Sequence, residues 1–162
     1  LTQEFPKLKQ FATLSPIPGL RSWIAKNGDA VLAELDDKQK AALEKVAGGV
    51  SAAQLLGALD DPGSLPEKSV VCGAAMFCAA RYLGRETAKS RPLDAVARFH
   101  LGNGARVERL NWAADLSTKG LKQSMGLMVN YLYDLKRLDK HRSLLAQGKI
   151  PVSSEIESLC KG

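Results

Sequence analysis

Two short segments, far apart in the chain, carry the side chains best suited to proton chemistry. They are Leu14-Ser15-Pro16-Ile17-Pro18-Gly19 and Phe99-His100-Leu101-Gly102-Asn103-Gly104-Ala105. Ser15 places a hydroxyl at the end of an apolar run, beside two prolines, and His100 places an imidazole just before a turn. An imidazole gains or loses a proton near neutral pH, and a hydroxyl can relay one. His100 sits in apolar sequence, whereas His141 lies among Asp139, Lys140 and Arg142 and is expected at the surface. Each assignment has a plainer rival: a serine before proline is ordinarily a turn residue, and a lone histidine in apolar sequence is ordinarily structural. Cys72, Cys78 and Cys160 form no metal-ligand spacing, and their odd number argues against a disulfide framework. Cys72 and Cys78 lie in a small-residue helical stretch and are expected to be buried thiols, which fits a reducing cytoplasm or organelle matrix.

The elements that must position these groups follow from local patterns. Lys9 to Leu14 alternates weakly and stops at Pro16 and Pro18, which reads as a strand with a rigid exit. Leu20 to Lys26 reads as a helix stopping at Asn27-Gly28. Asp37 to Ala47 reads as a helix with Ala41, Leu43 and Val46 inward, ended by Gly48-Gly49. Ser51 caps a helix over Ala52 to Leu59 that ends before Asp60-Asp61-Pro62-Gly63. Pro66 suits a first helical turn, with Glu67 to Tyr82 following; its Ala74, Ala75, Ala79 and Ala80 imply close helix packing. Gly84 to Pro92 reads as a charged loop, and Asp94 as the N-cap of a short helix through Leu101 that ends at Gly102-Asn103-Gly104. Ala105 to Trp112 alternates with imperfect phase and reads as a strand; Thr118 to Met125 reads as a short helix. Leu127 to Leu135 fits a strand or a helix, with Val129, Tyr131 and Tyr133 favouring the strand. Ser153 to Cys160 is a last short helix. Strands near both ends with helices between Leu20 and Tyr82 imply an α+β or α/β domain: a small sheet, incomplete in this chain, interrupted by a helical insertion.

Composition narrows the partners. The net charge of +6 raises nucleic acid as a partner, but the basic residues are dispersed and no stacking motif accompanies them. A nucleotide-bearing small polyanion would also profit from a positive field, while an ordinary solvated surface is the plainer reading. Arg98, Arg106 and Arg109 can be read as phosphate clamps, with a solvated face preferred. Val70 to Ala80, the most apolar run, falls well short of the ~20 apolar residues of a membrane span. At 162 residues the chain is one domain or a large part of one. It begins with Leu, and Leu1 to Pro6 reads like the end of a helix begun earlier, so a segment of something longer is expected.

Five blocks are longer and more particular than generic motifs. They are Phe11 to Gly19, Pro92-Leu93-Asp94, Val96 to Leu101, Asn103 to Trp112 and Gly126 to Tyr133. They resemble malonyl-CoA decarboxylases; the likeness spans nearly the whole chain, loosely over Ala25 to Lys89. Leu20 stands where the family often has Phe, and Ala95 where it often has Pro. The resemblance implies that residues 1–162 form the C-terminal part of an acetyltransferase-like (GNAT-like) catalytic domain. A separate helical oligomerisation domain and the coenzyme A pyrophosphate loop would then lie upstream of Leu1. It also implies decarboxylation of malonyl-CoA to acetyl-CoA and carbon dioxide, with no metal and no organic cofactor, in a homo-oligomer of the complete enzyme. Neither nucleic acid nor membrane is an expected partner.

Carried over residue by residue, the family's catalytic serine and histidine match Ser15 and His100, and a supporting tyrosine matches Tyr133. Asn111 and Asn130 are candidates for orienting groups near the site, although structural hydrogen bonds are the plainer reading. The residue types suit the chemistry. Loss of carbon dioxide leaves charge on the α-carbon and thioester oxygen, and donors aimed at such an oxyanion are worth ~3–4 kcal/mol each. A positioned proton donor adds about a hundredfold or more. A charge-neutral lining near Ile17, Pro18 and Phe99 would favour the loss of the carboxylate. Two other classes stay in view. A serine-dependent acyl-CoA hydrolase shares the dyad but would need a Gly-x-Ser-x-Gly elbow and an Asp orienter, neither of which is evident. A non-catalytic acyl-CoA-binding fragment is the other. The Cys160-Lys161-Gly162 ending lacks a Ser-Lys-Leu-type address, and a bacterial cytoplasm is expected, with mitochondrial or peroxisomal settings in eukaryotic relatives.

Overall fold

The computed structural model describes residues 9–162; the helix end expected over Leu1 to Pro6 lies outside them. Strand β1 (Gln10–Ser15) ends where Pro16 removes an N–H, and α1 (Leu20–Leu32) follows Gly19. The expected stop at Asn27-Gly28 is not one. Gly28 is buried, and a Cβ there would lie 2.8 Å from the Ala52 Cβ and 3.0 Å from Ile24 Cγ2. The glycine serves close approach between helices, so α1 runs on to Leu32.

Helix α2 (Asp37–Ala47) starts in a capping box of Asp36 with Gln39 and ends at Gly48, whose φ of +85° favours glycine. Leu43 is its one buried residue; Ala41 and Val46, expected inward, are exposed. Ala41 stands about 200° round the helix from Leu43, so the two cannot share a face. Val46 lies closer in phase, but α2 sits at the rim of the helical layer and buries only a narrow stripe. Helix α3 (Ala52–Ala58) opens in the capping box of Ser51 with Gln54.

After a short 3-10 turn (Pro62–Ser64), α4 (Val70–Gly84) begins at a Ser69 cap, later than the Pro66 start expected. The Ser69 hydroxyl accepts the Cys72 N–H, which fixes the first turn there. Its four alanines are buried, as close packing requires. The expected loop over Gly84 to Pro92 is instead the end of α4 and a two-stranded hairpin, β2 (Thr87–Ala88) and β3 (Arg91–Pro92). Helix α5 (Ala95–Gly102) is capped by Asp94, and β4 (Arg106–Asn111), α6 (Thr118–Ser124) and β5 (Met128–Asp134) follow. The ambiguous Leu127 to Leu135 stretch is thus a strand. The sequence reading had no counterpart for α7 (Leu138–Ala146); α8 (Ser154–Lys161) closes the chain from a Ser153 cap.

The main sheet is antiparallel in the order β1-β5-β4, so the central strand is the last to be made. A bulge between Val107 and Arg109 accounts for the imperfect alternation of β4. Helices α1 to α4 occupy the sequence between β1 and β4, which is the helical insertion expected. The core lies where these helices and α8 meet the sheet face bearing Val129, Tyr131, Val107 and Leu110. The fold is mixed α+β. All three cysteines are free and buried, and burial raises the Cys72 thiol to about 11 and Cys78 to about 12.

His141 corrects its sequence reading. It is buried, and its Nδ1 donates to the Gly104 carbonyl at 3.0 Å. Its charged neighbours Asp139, Lys140 and Arg142 are exposed, because helical periodicity turns them away while α7 packs on α5. A charged sequence context does not decide which way a helical residue faces.

Candidate active site

Ser15 is the last residue of β1, opposite Val129 of β5. Alternation puts Phe11, Thr13 and Ser15 on one sheet face with Tyr133, Tyr131 and Val129. Beyond Ser15 the chain turns through Pro16 to Gly19, with Ile17 fully buried as an anchor, worth ~1.5–3 kcal/mol of burial. Gly19 leaves room for the Tyr82 phenol: a Cβ there would come 2.5 Å from its oxygen. That phenol donates to Asp94 Oδ1 at 3.1 Å, while Asp94 Oδ2 accepts the Ala97 N–H at 3.0 Å. The Asp94 cap therefore ties the start of α5 to α4, beside the exit of β1. Burial and the neighbouring Asp94 push the Tyr82 phenol well above its ordinary range, so it stays a donor.

Helix α5 buries Ala97 and Leu101 and brings His100 over the sheet. His100 Nε2 lies 3.2 Å from Ser15 Oγ, across 85 residues of sequence. His100 Nδ1 lies 2.7 Å from the Tyr133 hydroxyl. The imidazole stacks on Tyr131, ring centres 4.6 Å apart at 20°, and meets Tyr133 and Phe99 edge-on. Phe11 stacks on Tyr133 at 4.7 Å, and Thr13 Oγ1 is 3.3 Å from Ser15 Oγ. Ser15 is buried; Phe11, Leu14 and Phe99 are exposed.

The electrostatics are those of an uncharged site. Burial lowers the His100 pKa below the ordinary 6.5, with no charged neighbour among its causes, so the ring is neutral near pH 7. Burial raises the Tyr133 phenol, which keeps its proton. No carboxylate among the described residues bonds His100, so the group at Nδ1 is a phenol and not an acid. The described residues also contain no cluster of His, Cys, Asp and Glu able to hold a metal ion.

Of the residues singled out in the sequence, Ser15, His100 and Tyr133 come together in one chain of contacts. Asn111 and Asn130 do not join it. Asn130 pairs with Leu14 in register, so it lies on the opposite sheet face from Ser15. There Asn111 donates to Asn130 at 2.9 Å, and Asn130 donates to the Thr13 carbonyl at 3.1 Å. Arg106 pairs with Glu108, and Arg109 projects from the same strand. Sequence reasoning missed Tyr131, Thr13 and Phe11 as neighbours of the dyad. Their signal was available: each stands two or four places from Ser15 or Tyr133 along a strand, hence on the same face. A larger apolar hollow, about 870 Å³, lies away from the dyad between α2, α4 and α8.

Comparison with known proteins bears on the family of the chain. The family model described as the malonyl-CoA decarboxylase C-terminal domain matches residues 1–162. The mitochondrial malonyl-CoA decarboxylase of Mus musculus is 36% identical over 98% of the chain, and that of Rattus norvegicus 37% over 98%. The chain spans 34% of the length of each. The crystal structure of malonyl-CoA decarboxylase from Cupriavidus metallidurans superposes with a TM-score of 0.86 at 46% identity, covering 98% of this chain and 40% of that one. The Rhodopseudomonas palustris enzyme gives 0.76 at 36% identity, covering 98% and 35%. With the whole chain matched by the family model, and its fold matched at high identity, this chain belongs to the malonyl-CoA decarboxylase family.

Proposed function

We propose that this chain carries the reacting groups for decarboxylation of malonyl-CoA to acetyl-CoA and carbon dioxide, with Ser15 and His100 handling the proton and the enolate. The observation that carries the mechanism is the phenol at His100 Nδ1. A phenol is a stronger donor than an alkyl hydroxyl, so of the two hydroxyls flanking the ring Tyr133 donates to Nδ1. The proton of the neutral ring then resides on Nε2 and points at Ser15 Oγ. In that tautomer the histidine is a donor to the serine, and the serine hydroxyl is free to donate onward.

The reaction needs that polarity. The bond between the α-carbon and the carboxylate breaks, carbon dioxide leaves, and the electron pair spreads to the thioester oxygen. The Ser15 hydroxyl, itself accepting from His100, donates to that oxygen, a contact worth ~3–4 kcal/mol. A proton from the pair then passes to the α-carbon. Solvent returns a proton to Ser15 and Nε2 as the products leave, while Tyr133 keeps its own proton and, by donating to Nδ1, holds the ring in the Nε2-protonated tautomer. The uncharged, aromatic surroundings raise the energy of the substrate carboxylate relative to the spread-out enolate.

A hydrolase would need the opposite tautomer, with Nε2 accepting from a nucleophilic serine and a carboxylate at Nδ1. Asp94 does not serve, since both its oxygens are engaged by Tyr82 and the Ala97 N–H. The wider reading follows the family. The sheet and its helices belong to an acetyltransferase-like domain, residues 1–162 form its C-terminal part, and the complete enzyme is a homo-oligomer. A bacterial cytoplasm is the proposed setting; the Mus musculus relative is named as mitochondrial.

The test is product analysis with mass spectrometry of the protein trapped in turnover. Ser15→Ala is expected to lower carbon dioxide release about a hundredfold or more, with no acyl group on Ser15 in the unmodified protein. A malonyl or acetyl adduct on Ser15, or free coenzyme A and malonate as products, would establish the hydrolase instead.

A further inference from the structure

We propose that the hollow bounded by the β2–β3 hairpin, α5 and α7 is a binding site for an organic phosphate. The hollow measures about 420 Å³. Four cations converge on it from three elements: Lys89 and Arg91 from the hairpin, Arg98 from α5 and Arg142 from α7. Among the described residues no carboxylate lines it. Among the described residues Lys89, Arg91 and Arg98 form no ion pair, whereas Arg81, Arg85, Arg106 and Arg137 each have one. Arg142 is held in place by Asp139 and by the Asn103 carbonyl. Asp94, at the start of α5, is buried and committed to Tyr82 and the Ala97 N–H.

Three of the four cations have no ion-pair partner among the described residues, and a cleft lined by charge of one sign concentrates counter-ions, here anions. The hairpin adds a second observation. Its two turn residues, Lys89 and Ser90, have φ of +54° and +63°, a left-handed conformation that favours Gly or Asn. The chain places a cation and a hydroxyl donor there instead, and both line the hollow. Guanidinium groups match phosphate oxygens two at a time, and a lysine adds a point charge. Pro92, Leu145 and Ala146 supply an apolar wall for the part of the ligand that bears the phosphate. A nucleoside phosphate fits this description. The site does not rest on the decarboxylase reading; only the identification of its phosphate with the nucleotide end of a coenzyme A thioester would.

The experiment is calorimetric titration of the chain with adenosine 3′,5′-bisphosphate, and separately with pyrophosphate. Binding of both is expected, weakened by salt because the contacts are charged and open to solvent. The triple variant Lys89→Gln/Arg91→Gln/Arg98→Gln is expected to bind the bisphosphate about tenfold or more weakly. All three residues are exposed, and circular dichroism checks the fold. The hairpin pair alone, Lys89→Gln/Arg91→Gln, is expected to lose about threefold or more, which keeps the test sound should Arg98→Gln disturb α5. Lys26→Gln/Lys45→Gln/Lys122→Gln, the same change in charge placed elsewhere, is expected to bind within about twofold of the unmodified chain. No binding by the unmodified chain, an unchanged affinity in the triple variant, or an equal loss in the control would overturn the proposal.

Kinetics assign the source of the phosphate. If the triple variant raises KM for malonyl-CoA and leaves malonyl-pantetheine unaffected, the phosphate is the substrate's own. If both KM values hold while bisphosphate affinity falls, a separate phosphorylated ligand occupies the site. Absence of decarboxylation in the unmodified protein would remove the proposed function and leave the titration result standing.

Discussion

The two sides of α5 make opposite electrostatic environments from neighbouring residues. His100 faces the sheet among Tyr131, Tyr133 and Phe99, with hydroxyls as its hydrogen-bond partners and burial alone shifting its pKa. Arg98, two residues earlier and about 200° round the helix, faces the basic hollow with Lys89, Arg91 and Arg142. The two environments stand roughly a helix diameter apart, about 10–12 Å, a little more than the screening length at physiological salt. The difference teaches how a small domain can keep a partly buried imidazole neutral while carrying a net charge of +6. Exposed charges more than a screening length away act weakly on a group, whereas burial acts on it directly. One helix suffices to separate them because its residues point outward at 100° intervals.

The sharpest way to break this contrast is at its neutral pole. His100→Asn keeps a polar side chain but loses the ring that bridges Ser15 and Tyr133. It is expected to lower turnover by about a hundredfold or more while leaving the far-ultraviolet circular dichroism spectrum intact. Near-normal carbon dioxide release from a folded variant would remove His100 from the chemistry.

A milder change carries charge into the neutral side. Thr13→Asp places a carboxylate where Thr13 Oγ1 lies 3.3 Å from Ser15 Oγ, one residue removed from the imidazole. An anion at that range favours the imidazolium, so the pKa of His100 rises and the acid limb of the rate moves to higher pH. The same anion repels the malonyl carboxylate, and turnover is expected to fall about tenfold or more. Unchanged kinetics and an unmoved limb would mean that the neutrality of this face has no bearing on the reaction.

The smallest effect belongs to the unmodified protein. Because burial depresses the His100 pKa, the acid limb of kcat/KM is expected at a pH below 6.5. Stability follows the same sign. In the unfolded chain the ring takes a proton near the ordinary 6.5, while in the folded chain it resists protonation to a lower pH. The neutral, folded form is therefore fully favoured above the unfolded value, and its advantage falls as pH drops below it. Denaturant titrations at a series of pH values, compared with His100→Asn, would isolate this contribution. A limb above 6.5, or a loss of stability identical in the variant, would contradict the burial argument.

Much of the frame was legible in the sequence because its causes are local. Asp94 and Ser51 announce helix starts within three residues of the N–H groups they satisfy. Gly48 ends α2 by its own backbone freedom, and the alternation of Phe11, Thr13 and Ser15 follows from the pleat. Ser15, His100 and Tyr133 were readable through their resemblance to a family, although no local rule joins residues 85 or 33 positions apart. What only the tertiary structure decided depends on who meets whom. Gly28 reads as a stop until Ala52 is seen to need its space. His141 reads as surface until α7, with no counterpart in the sequence reading, lays it on the Gly104 carbonyl. Lys89, Arg91, Arg98 and Arg142 read as scattered charges until a hairpin and two helices gather them around one hollow. Caps, turns and periodicity are set by interactions within a few residues, and the sequence states them directly. Burial, close approach and the summing of charge are set by contacts between distant residues, and those exist only once the chain has folded.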